Sequence, residues 1–181
     1  MALRATQSQA WVALQRVASS RAYPIAVGGI ALLFTISMTI PFASILIAAV
    51  LVRRDRWIAI VLLASLGSST GGVVLYLVFY HLAWNQIAEF FPGLAGSQAW
   101  SDATKWVSAY GTWALLAFAA SPLPQMPALI FTAMTRLPLL EVYLALLVGK
   151  LIKYAVYGWV AARFPSLATK FLRLIGFKWD R

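Results

Sequence analysis

Apolar residues fill this chain in long blocks, and polar residues fall between them as short punctuation. PIAVGGIALLFTISMTI (24–40) is followed by Pro41 and then by FASILIAAVLV (42–52), which ends at Arg53. Further blocks run from Trp57 to Tyr80, from Trp106 to Thr135 and from Leu139 to Ala162. A helix crossing the hydrocarbon core of a bilayer needs about 20 apolar residues. The blocks at 57–80 and 139–162 have that length without a proline, which predicts two main transmembrane helices. Trp57 opens the first of them and Tyr80 and Trp84 close it, as aromatic anchors at a membrane–water boundary do.

The other two blocks are interrupted. Pro41 divides the first, and Pro122, Pro124 and Pro127 crowd SPLPQMP (121–127) in the other. Proline removes a helical hydrogen bond and clashes with the preceding turn, and it drives the residue before it out of helical geometry. Each block is either one kinked crossing or two half-helices folded at the prolines. Charge favours the second. With re-entrant hairpins at 23–52 and 106–135, Arg4, Arg16, Arg21, Arg53, Arg54 and Arg56 share one side with Arg163, Lys170, Arg173, Lys178 and Arg181, against Asp55 and Asp180. The opposite side holds Lys105 and Arg136 against Glu89, Asp102 and Glu141. Basic segments belong on the cytoplasmic side, so both termini are expected there.

The two halves repeat an order of features. A proline tip leads to a short turn, then to a crossing with Gly67 and Tyr76 in the first half and Gly149 and Tyr157 in the second. Cytoplasmic termini and two true crossings make this an inverted repeat, and paired interrupted segments of this kind point to a transport site. The expected fold is therefore an all-α integral membrane protein: two opposed re-entrant helical hairpins, two main transmembrane helices, and interfacial amphipathic helices. The latter fall at 1–22, for which a transit peptide is the alternative, at 81–105, and in the basic tail 163–181.

Composition agrees with a membrane location. The chain is 62% hydrophobic and 11% charged, against about 45–50% and about 25% in soluble domains. Its net charge of +10 lies beside apolar runs, so anionic or phosphate-bearing lipid headgroups are expected as partners rather than nucleic acid. There is no cysteine and a single histidine, His81, which leaves no disulfide, thiolate or His-based metal site. No cofactor is expected.

Polar residues inside the blocks are the candidates for chemistry. SLGSSTGG (65–72) places Gly67 and Gly71 four apart, a spacing that lets another backbone approach. Ser68, Ser69 and Thr70 offer hydroxyls there. VGKLIKYAVYGW (148–159) carries Lys150 near the centre of its span, where a lysine costs about 2.5–3.5 kcal/mol on insertion scales and is a functional hypothesis by default. Lys150, Lys153, Tyr154 and Tyr157 have the spacing of one helix face, and ammonium groups with phenols suit a phosphate or carboxylate. For Lys153, snorkelling to headgroups is an equal alternative. Gln125 is the one strongly polar side chain at the second proline tip. The sequence contains no P-loop, no GxSxG, no HExxH and no nucleophile paired with a base, so no catalytic residue is expected.

Gly67, Gly71 and Tyr76, Tyr110-Gly111, the proline-rich tip, and Gly149-Lys150 with Lys153-Tyr154 resemble the DedA / SNARE-associated / VTT-domain membrane proteins, and most closely their small bacterial YqaA-like branch. The likeness covers roughly residues 30–163. It implies opposed re-entrant hairpins, a multi-pass position in the bacterial inner membrane, and movement of lipids or lipid-linked phosphates between leaflets. Many members carry an acidic residue near the first hairpin and arginines beside the second tip. This chain has neither, and Lys150 with Lys153 are the candidates for the cationic role. The expected function is a lipid translocase or scramblase. Its alternatives are a small-solute or ion transporter, for which a homodimer is the expected state, and a non-transporting envelope-maintenance factor.

Overall fold

A computed structural model describes residues 20–38, 42–82, 86, 89–91, 93–94 and 96–167. All of its described elements are helices: α1 (Tyr23–Ser37), α2 (Phe42–Val52), a 3-10 turn (Arg54–Arg56), α3 (Trp57–His81), α4 (Gln98–Tyr110), α5 (Thr112–Ala120), α6 (Met126–Met134) and α7 (Leu139–Arg163). By length and composition, one described helix, Arg54–His81, is long and apolar enough to cross a membrane. Most of the expected 1–22 helix, the proline at position 41 and residues 168–181 of the tail lie outside the described residues.

Local chemistry sets the breaks. Pro24 and Pro127 sit in the first turns of α1 and α6, where the missing N–H has no helical partner to lose. Pro122 and Pro124 keep α5 from continuing past Ala120. Gly111 separates α4 from α5 with φ 56° and ψ −130°, a left-handed conformation that glycine adopts without steric cost. The division expected between 105 and 106 therefore falls at Gly111, because α4, capped by the Ser97 hydroxyl at its start, runs on to Tyr110.

The Tyr23 hydroxyl at the start of α1 donates to the Ala49 carbonyl near the end of α2, 3.2 Å away, so these two helices form a hairpin. Helix α3 then runs parallel to α1: Gly28 lies against Leu63 and Gly67, and Leu32 and Thr35 lie against Gly71. In the second half, Thr112 of α5 bonds Glu141 at the start of α7, and Leu116 and Ala120 lie against Gly149. The two long helices run antiparallel to one another. Val61 meets Gly158, Ser68 meets Lys150, and Gly72 meets Leu146. The Arg54–Arg56 turn and Arg163 thus share one end of the molecule.

Glycine makes the closest of these approaches. A Cβ on Gly67 would stand 2.0 Å from the Gly28 carbonyl oxygen, and one on Gly149 would stand 2.7 Å from the Leu116 carbonyl oxygen. Counted from Trp57 and from Leu139, these two glycines occupy the same position in α3 and α7. The exposed apolar residues match in the same way: Ile58 with Leu140, Leu62 with Leu144, Leu66 with Val148.

Two apolar cores result. One joins α1 and α2 to the first turns of α3 and the last turns of α7, through Leu46, Val50, Ile60, Ala64 and Ala161. The other joins α4, α5 and α6 to the last turns of α3 and the first turns of α7, through Phe79, Leu115, Leu129, Val142 and Leu146. Between them, at mid-length of both long helices, lies a layer of small and polar residues.

Candidate functional site

That layer is built on Ser68 and Lys150. They hold equivalent positions in the two long helices, one residue beyond Gly67 and Gly149. Antiparallel packing brings them together. Lys150 is 2% exposed, and its Nζ donates to the Ser68 carbonyl oxygen at 2.7 Å and to the Ser68 Oγ at 2.8 Å. Gly72 faces it, and the lack of a side chain there makes room for Leu146: a Cβ would lie 2.9 Å from Leu146 Cδ1 and in ordinary contact, 3.5 Å, with Nζ. The Ser68 hydroxyl also contacts the Tyr154 hydroxyl at 3.1 Å and Thr35 Oγ1 at 2.7 Å. Thr35 in turn donates to the Ala31 carbonyl at 2.7 Å.

Among the described residues, no carboxylate forms an ion pair with Lys150. The ion pairs described are those of Asp55 with Arg53 and Arg56, and Glu141 bonds Thr112 at the surface. A buried ammonium held only by a carbonyl and a hydroxyl keeps most of its desolvation cost, so it is a costly feature for packing alone to retain. Among the described residues, no three metal-ligating side chains cluster.

The other expected site residues divide. Tyr154 is in the network and packs against Phe42 in a tilted ring contact, with centroids 5.7 Å apart. Ser69 is fully buried and its Oγ has no hydrogen-bond partner among the described residues. Thr70 is not in the layer. It is exposed and donates back to the Leu66 carbonyl at 2.9 Å, because the residue after Ser69 turns onto the outer face of α3. Lys153 and Tyr157 are half-buried and make no hydrogen bond with a described residue. The shared face of Lys150, Lys153, Tyr154 and Tyr157 therefore splits: Lys150 and Tyr154 point inward, while Lys153 and Tyr157 lie at its margin. Gln125 is half-buried at the start of α6, with no side-chain cap bond, and does not join the network. Pro122 and Pro124 are exposed at the tip and Pro127 is buried.

Two residues that build the layer escaped the sequence reading: Thr35 and Gly28. Thr35 was signalled by spacing. With Gly28 and Ala31 it forms one face of an otherwise apolar helix.

The ends of α1 and α5 reach this level. Thr35 lies two residues before the end of α1 and touches Gly71 and Ser68, and Ala120, the last residue of α5, lies against Gly149. Comparison with family models, with curated proteins and with solved structures found no match.

Proposed function

We propose that this chain is a multi-pass membrane protein that moves a phosphate-bearing lipid headgroup, of a phospholipid or a polyprenyl phosphate, between leaflets. The observation that carries the proposal is Lys150: an ammonium without a carboxylate among the described residues, in a polar layer where the ends of α1 and α5 meet the middles of two long helices. Ionisable groups at membrane depth belong to substrate paths more often than to packing. Ser68, Ser69 and Tyr154 supply hydroxyls beside it, and lipid tails need only a narrow polar track for the headgroup.

Lengths support the membrane reading. At about 1.5 Å per residue, α3 and α7 are each about 37 Å long, against about 30 Å of hydrocarbon. Helices α1, α2, α5 and α6 are about 13–22 Å long, too short to cross. The parallel packing of each first arm on its own long helix, with the long helices antiparallel, is the arrangement expected of an inverted repeat of re-entrant hairpins. Matched exposed apolar positions on α3 and α7 suit contact with lipid on two sides. The basic end, with Arg53, Arg54, Arg56 and Arg163, is assigned to the cytoplasm of a bacterial inner membrane. These features accord with the resemblance to DedA / VTT-domain proteins and are the grounds for proposing membership.

One observation favours a second reading. Lys150 is sealed from every side, which suits a small anion held within the protein and carried without its lipid. Sealed liposomes containing purified protein and headgroup-labelled lipid separate the two. Protein-dependent loss of the label protected from a membrane-impermeant quencher supports lipid movement. Full protection together with uptake of labelled phosphate supports the solute carrier.

A further inference from the structure

The hydrogens in the Lys150 network can be assigned from its fixed end. A carbonyl oxygen only accepts, so the single hydroxyl hydrogen of Thr35 is spent on Ala31. With that bond formed, Ser68 is the donor in the 2.7 Å contact between Thr35 and Ser68. Its only hydrogen is then used, and the 3.1 Å contact with Tyr154 must be donated by the phenol. Ser68 Oγ thus gives one hydrogen to Thr35 and accepts two, from Tyr154 and from Lys150. The chain has one direction throughout, from Tyr154 and Lys150 to Ser68, to Thr35, to the Ala31 carbonyl.

This direction matters for the amine. If Ser68 pointed its hydrogen at Nζ, the two groups would compete as donors and the ammonium would lose one of its two acceptors. With Thr35 drawing that hydrogen away, Ser68 presents lone pairs to Lys150. Two N–H groups are fixed on Ser68, and the third has no acceptor among the described residues, leaving it for a ligand oxygen. We infer that Thr35, acting through Ser68, is a positioning residue that fixes the Lys150 ammonium for an anionic ligand. Thr35 lies on α1 of the first hairpin, so a residue from the first half orients the cation of the second. The ligand side of this inference rests on the proposed function. The orientation of Lys150 does not.

The test reads Lys150 directly by side-chain nitrogen NMR of lysine-labelled protein in nanodiscs, with the Lys150 resonance assigned from its loss in Lys150→Met. Thr35→Val keeps the shape of the side chain and removes the acceptor. The resonance is expected to move in Thr35→Val, to stay near its original position in Thr35→Ser, and to show no further change when Thr35→Val is added to Ser68→Ala. Headgroup transfer in liposomes should follow the same order, with about a tenfold loss in Thr35→Val, the scale of one hydrogen bond to a charged group. An unmoved resonance in folded Thr35→Val overturns the inference, as does an equal change in Thr35→Ser. If Thr35→Val does not fold, Thr35→Ala takes its place under the same criteria. A resonance that moves as expected in protein that transports no lipid upholds the positioning role and removes the lipid-transfer reading instead.

Discussion

The Lys150 Nζ and the Ser68 carbonyl oxygen, 2.7 Å apart, join the two long helices at equivalent positions and at the boundary between the two apolar cores. A lysine here is costly to stability, and its partners among the described residues are uncharged. That combination makes its replacement informative in two directions.

Lys150→Met removes the charge and keeps much of the volume. Stability to denaturant is expected to stay level or to rise, by up to about 3 kcal/mol, since the buried ammonium is relieved. Headgroup transfer should fall at least about tenfold. A variant that is both less stable and fully active would make Lys150 a packing residue.

Ser68→Ala leaves Lys150 with the carbonyl alone and takes the acceptor from Tyr154. It should cost about 1–3 kcal/mol, whereas Tyr154→Phe, which removes only one donor to Ser68, should cost about 1 kcal/mol. Unfolding of both variants in mixed detergent measures the difference. Equal losses would mean that the amine does not depend on the serine hydroxyl.

Two glycines in α1 and α3 should behave oppositely. Gly67→Ala drives a Cβ into the Gly28 carbonyl and should destabilise by about 3 kcal/mol or more through overpacking. Gly29→Ala meets nothing within 4 Å and should stabilise by up to about 1 kcal/mol through helix propensity. The same unfolding measurement serves both.

Val148 is exposed at mid-length of α7. If that face meets lipid, Val148→Lys should cost about 2.5–3.5 kcal/mol and reduce the protein recovered in membranes. Leu140→Lys, near the helix end, should be tolerated because its amine can reach the interface. Equal recovery of both would argue for water at that face.

The chain has no cysteine, so single cysteines report sidedness cleanly. Arg54→Cys and Phe164→Cys should react with an impermeant maleimide only in inside-out vesicles, and Arg136→Cys only in right-side-out ones. Any mixture of sides between the first two would break the proposed topology.

Much of this arrangement was legible along the chain because it depends on local rules. Prolines 122, 124 and 127 end and restart helices wherever they stand, so the break between α5 and α6 followed from covalent geometry. The uninterrupted apolar runs foretold α3 and α7, and a lysine at mid-span marked itself. Helical spacing also grouped Lys150 with Lys153, Tyr154 and Tyr157. Spacing alone assigns a residue to a face but not a neighbour to that face. Only the antiparallel packing of α3 on α7 decided that Ser68 meets Lys150, that Thr70 turns outward, and that Lys153 stays at the margin. Thr35 entered the site because Gly28, Gly67 and Gly71 let α1 approach α3 backbone to backbone. That closeness is set by missing side chains on two helices together, and neither helix displays it alone.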